Sequence, residues 1–208
     1  CVDLAFANRY SISIIDSNKL AKLNKPNLII FAQKFYNDTY IMDQFGCSSP
    51  NSIFWLGKNK VAREQFWFEL GKIVNKKYDL GVSGANKKIS NLMNFTLNKN
   101  HKLNMSIKNF NLIRLKNKKI NFDNLDNINF GTFIEFELTS INFLKKYTSE
   151  KLQTITYYGI EFKDIKKFII KNKVKGIDRI VPIGRAFDLT PEWDGVDIIS
   201  TLSRTIAM

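Results

Sequence analysis

Apolar and polar residues alternate along several short segments of this chain, clearly so in YSISIID from Tyr10 and FIEFEL from Phe133. A two-residue period with many β-branched and aromatic residues is typical of strands, because successive side chains point to opposite faces of a sheet. On this basis, with shorter apolar segments added, the predicted strands are 10–16, 52–56, 112–115, 133–138, 152–158 and 179–183.

A different spacing follows Pro26, where apolar residues recur at Leu28, Phe31 and Phe35. It predicts a helix with one buried face that begins near Pro26 and continues to Met42. Further helices are predicted at 60–78, 86–97, 162–172 and 196–206. The core candidates of the second helix are Val61, Phe66, Phe68, Leu70, Ile73 and Val74.

Glycine, proline and asparagine separate these elements. Gly46 and Pro50 are expected to break regular structure after the first helix, and the stretch from Gly81 to Gly84 is expected to interrupt the chain again. Residues 98–129 are rich in lysine and asparagine and are expected to hold long loops around one strand. Strands that alternate with helices predict an α/β domain whose sheet is mostly parallel and flanked by helices.

The net charge of +13 has to be weighed before a function is considered. Such an excess can indicate binding to nucleic acid or to an anionic membrane surface. Here the lysines are scattered among asparagines, and arginine is scarce. Base readout and bidentate phosphate contacts favour arginine, so we favour a solvated basic surface and expect no nucleic-acid partner. A basic surface can still attract an anionic substrate such as coenzyme A.

The length of 208 residues and a hydrophobic content of 44% predict a real core. No apolar run reaches the length that spans a bilayer, so no membrane span is expected. No signal peptide is recognised, and the first residue is Cys1 rather than Met. We therefore expect the chain to begin inside a longer protein.

Cys1 and Cys47 are the two cysteines, and His101 is the single histidine. Two cysteines are too few for a disulfide framework, and this set cannot build a structural zinc site. We expect no metal and a cytoplasmic location.

Cys47 is the candidate for chemistry because it follows Gly46 and lies between a predicted helix and a predicted strand. A sharp turn there can expose a thiol and leave backbone N–H groups free to stabilise an oxyanion. The local sequence alone favours the alternative that Cys47 is a small buried apolar residue, since a single cysteine in a turn is weak evidence.

Two long blocks and several shorter ones resemble the long-chain acyl-CoA reductases, which include the fatty-acid reductases of bacterial bioluminescence, within the aldehyde dehydrogenase superfamily. The long blocks are FYNDTYIMDQFGCSSP at 35–50 and GIDRIVPIGRA at 176–186; the shorter ones are 11–16, 152–154, 193–195 and 202–204. Residues 98–129 resemble nothing in that family.

The resemblance implies an aldehyde-dehydrogenase-like catalytic domain over residues 1–208, with the carboxy-terminal block 176–208 closing it. It implies that Cys47 attacks an acyl thioester and that hydride from NADPH reduces the acyl-enzyme to a fatty aldehyde. The backbone N–H of Cys47 is the implied oxyanion donor. The family's nucleotide-binding domain precedes the cysteine domain, so most of that domain is expected to be missing and this fragment to be nearly inactive alone.

The resemblance also suggests two further correspondences. Phe6 stands where aldehyde dehydrogenases carry the Glu that activates water, and a core aromatic is the alternative for it. Glu150 stands where the superfamily places a Glu that contacts the nicotinamide ribose; Leu152 replaces the Phe that follows two residues later. A surface Glu at the start of a strand is an equally good interpretation of Glu150.

By analogy, an acyl-CoA or acyl-protein thioester is the expected substrate, an acyltransferase or synthetase the expected partner, and a homo-oligomer the expected assembly. Asp178–Arg179 and Trp193–Asp194–Gly195 can line a cleft, but an ion pair and a turn that hold the last elements are favoured. His101 is expected in a solvated loop. Two other functions stay open: a thiol acyltransferase that uses Cys47 without a nicotinamide, and a non-catalytic basic module that binds nucleic acid.

Overall fold

A seven-stranded sheet forms the centre of the computed structural model, which describes residues 8–97, 104–116 and 128–204. The spatial order is β3-β4-β5-β2-β1-β6-β7. All neighbouring pairs are parallel except β3 with β4, which is antiparallel. The strands are β1 (Tyr10–Asp16), β2 (Pro50–Leu56), β3 (Asn104–Asn109), β4 (Leu112–Lys116), β5 (Thr132–Glu137), β6 (Leu152–Tyr158) and β7 (Arg179–Pro182).

Helices cover both faces of this sheet, which confirms the predicted α/β class with a mostly parallel sheet. The helices are α1 (Ser17–Leu20), α2 (Lys25–Thr39), α3 (Lys60–Lys77), α4 (Gly81–Leu97), α5 (Phe162–Asn172) and α6 (Ile198–Leu202). A 3-10 helix spans Ile141–Tyr147, and a small hairpin joins β8 (Glu192–Trp193) to β9 (Val196–Asp197).

The alternation within each strand divides the core into two layers. In β2, Phe54 packs in one layer with residues of α5, while Ile53 and Trp55 pack in the other layer with residues of α2 and α3. Parallel strands covered on both faces are buried on both faces, so β1 and β2 are apolar or small and polar over nearly their whole length. This arrangement leaves the sheet accessible where its parallel strands begin and where they end; these are called below its amino-terminal and carboxyl edges.

Helix starts follow ordinary capping rules. The Asn24 side chain accepts a hydrogen bond from the N–H of Asn27 at the start of α2, and Asn59 accepts one from Ala62 at the start of α3. Pro26 lies in the first turn of α2, where its missing N–H costs nothing.

Several predicted boundaries were wrong for local reasons. The first helix ends at Thr39 rather than Met42. Residues 40–44 form turns instead, in which the N–H groups of Asp43 and Gln44 donate to the carbonyls of Tyr40 and Thr39, and Asp43 and Gln44 adopt positive φ angles of 52° and 61°. Pro50 begins β2 instead of breaking the structure before it. The Gly81–Gly84 stretch lies in the first turn of α4, where the Asp79 carboxylate accepts the Gly81 N–H.

Other expectations failed because periodicity does not identify the buried face. Val61 and Phe68 of α3 are exposed, whereas Phe66, Leu70 and Val74 are buried as predicted. The closing helix predicted at 196–206 is reduced to α6, and residues 205–206 lie outside the described residues. None of the helices in the described part of the chain combines the length and apolar character needed to cross a membrane.

Candidate active site at the cysteine turn

Cys47 lies in a turn, residues 40–49, that connects α2 to β2, and its side chain is partly exposed. Because β2 begins at Pro50, the turn sits at the amino-terminal edge of the parallel strands, beside the starts of β1 and β6. Open α/β sheets usually bind ligands at the opposite, carboxyl edge. The site therefore cannot be inferred from the general rule for this fold class and has to be judged from its own geometry.

Gln44 anchors the front of the cysteine turn. Its buried side-chain amide donates hydrogen bonds to the carbonyls of Pro50 and Thr132 over 3.3 and 3.2 Å. Its carbonyl oxygen accepts the N–H groups of Gly131 at 2.6 Å and Thr132 at 3.1 Å. One side chain thus fixes the turn to the starts of both β2 and β5.

Two serine hydroxyls anchor the back of the turn. Ser11 Oγ of β1 donates to the carbonyl of Cys47 at 2.6 Å and accepts the N–H of Thr154 of β6 at 3.1 Å. Ser49 Oγ donates to the carbonyl of Asp38 at 2.8 Å, and the Ser49 N–H donates to the carbonyl of Gly46 at 2.8 Å. The carbonyl groups around the cysteine are therefore largely engaged.

The backbone donors of the same turn are not engaged. Within the described ranges, the N–H groups of Gly46, Cys47 and Ser48 donate no hydrogen bond. Backbone N–H groups without a partner are uncommon unless water or a ligand reaches them. Three successive donors beside a partly exposed thiol can hold an oxygen that gains negative charge when a thiolate attacks a carbonyl.

The carboxy-terminal block covers one side of the turn. A Cβ atom at Gly46 would lie only 2.7 Å from Cε1 of Phe187 and 3.7 Å from the sulfur of Met42. Phe187 is carried by the turn of residues 183–188, which follows β7. The ring therefore rests on the backbone of the residue that precedes the cysteine.

Asp38, at the end of α2, holds this second turn. Its buried carboxylate accepts the N–H groups of Gly184 at 2.6 Å and Ala186 at 2.9 Å. Burial raises the pKa of Asp38 to about 6; the two N–H groups and Arg179 lower it, and Asp188 raises it. Asp38 thus contacts two turns. Its backbone carbonyl accepts a hydrogen bond from Ser49 in the cysteine turn, and its carboxylate accepts two N–H groups of the turn that carries Phe187.

Arg179 holds the other side of the second turn by donating hydrogen bonds to the carbonyls of Ala186, Arg185 and Asp188. Its guanidinium also lies 5.3 Å from the ring centroid of Trp193. Burial lowers the pKa of Arg179, an effect that the neighbouring Asp188 opposes. The arginine therefore has a structural role within the carboxy-terminal block.

Asp178 and Asp194 are not partners of Arg179. Both carboxylates contact Arg9, which also donates to the carbonyl of Gly176, and Gln153 donates to Asp194. The favoured interpretation, in which these residues tie the last elements to the body of the domain, agrees with these contacts. The sequence analysis did not identify Arg9 as the basic partner.

The two predicted cofactor-binding residues lie at the start of β6, on the same edge of the sheet as Cys47. Glu150 is exposed and its carboxylate lies 3.3 Å from Nζ of Lys175. Leu152 is completely buried in the core layer that contains α5. Of this pair, only Glu150 therefore has a side chain available to a nicotinamide.

Three residues singled out in the sequence, Cys1, Phe6 and His101, lie outside the described residues. Within the described ranges, no group of three or more His, Cys, Asp or Glu side chains is arranged to hold a metal ion. A cavity of about 290 Å³ opens between α3 and β4. Its lining residues are Glu64, Trp67, Phe68, Gly71, Lys72, Asn75, Asn109, Leu112 and Arg114, none of which belongs to the cysteine turn.

Sequence reasoning missed Ser11, Asp38, Gln44 and Phe187 as parts of this site. Each of them lies in or beside a block that resembles the reductases, so the resemblance contained a signal that single-residue chemistry did not. Their roles depend on contacts between distant segments, such as the 146 residues that separate Asp38 from Gly184.

No protein-family model and no curated protein matches this chain. Solved structures do match. An NAD-dependent aldehyde dehydrogenase from Sinorhizobium meliloti has a TM-score of 0.56 at 11% identity over 89% of this chain. An aldehyde dehydrogenase from Pseudomonas aeruginosa has a TM-score of 0.53 at 9% identity over 88% of the chain.

A third match is an indole-3-acetaldehyde dehydrogenase in complex with NAD+, with a TM-score of 0.53 at 8% identity over 88% of this chain. In all three cases the chain covers only 39% of the longer protein. Identities this low show a shared fold and nothing about substrate. The described chain therefore has the fold of a part of the aldehyde dehydrogenases, about two fifths of their length.

Proposed function

We propose that this chain is the cysteine-bearing part of a reductase that converts a long-chain acyl thioester to a fatty aldehyde, with Cys47 as nucleophile and NADPH as hydride donor. One observation carries the proposal. On an aldehyde dehydrogenase fold, a partly exposed thiol lies in a turn whose N–H groups at 46–48 have no acceptor within the described residues. The resemblance of residues 35–50 to the acyl-CoA reductases adds the substrate class.

In the first half-reaction, the Cys47 thiolate forms a bond to the carbonyl carbon of the thioester. The carbonyl oxygen becomes an oxyanion, for which the N–H groups of the cysteine turn are the proposed donors. When the tetrahedral species collapses, the bond to the departing thiol breaks, and that thiolate takes a proton from solvent. The product is an acyl group in thioester linkage to Cys47.

Water must be kept from this acyl-enzyme. Asp38 and Asp43 are the acids nearest to Cys47 in the sequence, and both are occupied. Asp38 accepts two backbone N–H groups, and Asp43 accepts a hydrogen bond from the Tyr78 hydroxyl at 2.6 Å. The Asp38 carboxylate is buried and both of its oxygens accept N–H groups, so it is a poor general base for water, which favours a persistent acyl group.

A reduced nicotinamide, when bound, would supply the hydride that turns the acyl group into an aldehyde and returns the thiolate of Cys47. Within the described chain, the exposed carboxylate of Glu150 is the group that fits a ribose hydroxyl, and it lies on the same edge of the sheet as the cysteine. The remaining contacts to the dinucleotide would come from a nucleotide-binding domain beyond this chain. An acyl-transferring partner and a homo-oligomer belong to the same proposal.

The test is to incubate the chain with palmitoyl-CoA and to locate any adduct by peptide mass spectrometry. We expect a hydroxylamine-sensitive palmitoyl adduct on Cys47 that survives for hours and is absent from Cys47→Ala. A palmitoyl group that moves rapidly to an added acceptor thiol would instead favour the acyltransferase. Absence of an adduct on Cys47, with salt-sensitive binding of nucleic acid that Cys47→Ala retains, would favour the basic binding module.

A further inference from the structure

The cysteine turn has an apolar side, and most of that side is exposed. Met42 and Phe45 are 52% and 57% exposed, although large apolar side chains are usually buried. Phe45 packs against Phe130 with ring centroids 5.1 Å apart, so it is held in place without being covered. Contiguous exposed apolar groups on a protein surface mark a binding region more often than isolated ones do.

Phe187 completes this apolar side from the carboxy-terminal block. Its ring lies against Gly46, and the sulfur of Met42 lies near the same residue. The Cα of Gly46 is one peptide unit, about 3.8 Å, from the Cα of Cys47. Phe187 and Met42 therefore flank the backbone one residue away from the thiol, where they can contact an alkyl group attached to the Cys47 sulfur.

Hydrogen bonds from two side chains outside the 183–188 turn fix the position of Phe187. The Asp38 carboxylate takes two N–H groups of the 183–188 turn, while Arg179 binds three of its carbonyls. Ala186, next to Phe187, is completely buried. The Phe187 ring is therefore held in a fixed position beside the residue that precedes the cysteine.

We propose that Phe187 is a specificity-determining residue, which favours reagents with an alkyl chain at Cys47 by packing against the first carbons of that chain. Asp38 and Arg179 are the positioning residues that hold the ring in place. Met42 and Phe45 provide the rest of the apolar surface. The identity of the chain as the acyl group of a thioester rests on the function proposed above, but the packing itself requires only the thiol.

The experiment uses two thiol-specific reagents that differ in chain length, methyl and octyl methanethiosulfonate, on the full chain with Cys1→Ser, so that Cys47 is the single thiol. Intact-mass spectrometry gives the rate of each reaction, and the octyl-to-methyl ratio is divided by the same ratio for glutathione. We expect this corrected ratio to exceed one, and Phe187→Ala to lower it about fourfold, the effect of one methylene group that is no longer buried.

Gly46→Ala provides a second perturbation that leaves Phe187 unchanged. Its Cβ would lie 2.7 Å from the ring, so the ring must move, and the ratio should fall as in Phe187→Ala. The matched control is Phe143→Ala, which removes a phenylalanine that is 48% exposed on the 3-10 helix, and the ratio should stay at the wild-type value.

A corrected ratio that is the same in wild type, Phe187→Ala and Gly46→Ala would overturn the inference, even if palmitoyl-CoA acylates Cys47. Conversely, a ratio that depends on Phe187 in a chain that palmitoyl-CoA does not acylate would support the packing role and refute the reductase. The two proposals therefore fail separately.

Discussion

Two polar clusters of this molecule differ in how far their hydrogen-bonding groups are satisfied. The first lies between α3 and the sheet and is centred on Glu135, whose carboxylate accepts the indole N–H of Trp55 at 2.8 Å and of Trp67 at 3.0 Å. Arg114 donates to the same carboxylate at 2.8 Å and also to Glu64. In the second, the cysteine turn, the side-chain anchors are satisfied, whereas three backbone donors are not.

In the first cluster, burial alone would lower the pKa of Arg114, but the hydrogen bonds that Arg114 donates to Glu64 and Glu135, together with their charges, raise it above its ordinary value. The Arg114 guanidinium also lies 5.0 Å from the Trp67 ring centroid. The members of this cluster satisfy one another, although Glu64, Trp67 and Arg114 also line the cavity between α3 and β4. In the cysteine turn, Gln44 and Ser11 fix the backbone, while the N–H groups of residues 46–48 have no acceptor among the described residues. The difference between the clusters directs the search for a candidate site to backbone donors without partners in a fixed frame, rather than to the largest number of charged residues.

The largest effect is expected in the first cluster. Glu135→Gln removes one of the two carboxylates that compensate Arg114, and it places an amide N–H₂ among groups that all donate. The free energy of unfolding should fall by about 3 kcal/mol, as measured in urea, because the buried Arg114 charge loses its more deeply buried partner and the two indole N–H groups lose a charged acceptor. The rate at which iodoacetamide alkylates Cys47 should not change.

Glu137→Gln is the control on the same strand, two residues away. The side chain of Glu137 is 73% exposed and pairs with Arg63, so its loss should cost less than about 1 kcal/mol. Equal losses in the two variants would contradict the view that the Glu135 cluster is a closed structural unit.

Asp38 should make the second cluster sensitive to pH. Its folded-state pKa of about 6 lies above the ordinary value of 3.8, so the folded chain holds a proton that the unfolded chain has already lost between these values. The free energy of unfolding of wild type should therefore fall, relative to Asp38→Asn, as pH rises from about 4 to 6. By linkage, the total change is at most about 3 kcal/mol.

Urea unfolding of both proteins at intervals between pH 4 and pH 7 tests this expectation. A difference between wild type and Asp38→Asn that stays constant over that range would show that the buried carboxylate does not titrate as its surroundings indicate.

A smaller loss of stability is expected from Gln44→Ala, accompanied by a change at the thiol. The substitution leaves two carbonyls and two N–H groups without their side-chain partner, and it should lower the free energy of unfolding by about 2 kcal/mol. Because the frame of the turn is lost, the alkylation rate of Cys47 should change as well. Gln33→Ala, at a partly exposed position of α2 whose side chain contacts Asn37 and Lys77 rather than the cysteine turn, should lower the free energy of unfolding by less than about 1 kcal/mol and leave the alkylation rate unchanged.

Much of the fold follows from local sequence. The strands at 10–16 and 152–158 and the helix at 162–172 have the predicted boundaries, because strong periodicity coincides there with clear ends. The strand β3 was missed although Met105 and Ile107 alternate with polar residues, because it lies in a lysine- and asparagine-rich stretch for which loops were predicted. The hairpin at Trp193 was missed because its two-residue strands are too short to show a period. Phe68 was predicted to be buried, because the sequence pattern shows that the residue is hydrophobic but not which face of the helix packs against the sheet.

The site was predictable to a lesser degree. Cys47 and its turn were recognised in the sequence, but the anchors were not, since Ser11, Asp38 and Gln44 look like ordinary polar residues until distant segments meet. Glu150 and Leu152 show the limit of transferring positions by resemblance. Both lie at the expected edge of the sheet, yet Leu152 is buried in the core.

The most direct measurement is the carbonyl stretching frequency of the acyl group on Cys47. The chain is acylated with palmitoyl-CoA that carries ¹³C at the thioester carbon, and isotope-difference infrared spectra are compared with those of the same thioester on a short unstructured peptide. The N–H groups of Gly46, Cys47 and Ser48 should hydrogen-bond the carbonyl and lower its frequency below that of the peptide. A frequency equal to that of the peptide, or no acylation at all, would contradict the assignment of this turn as an oxyanion site.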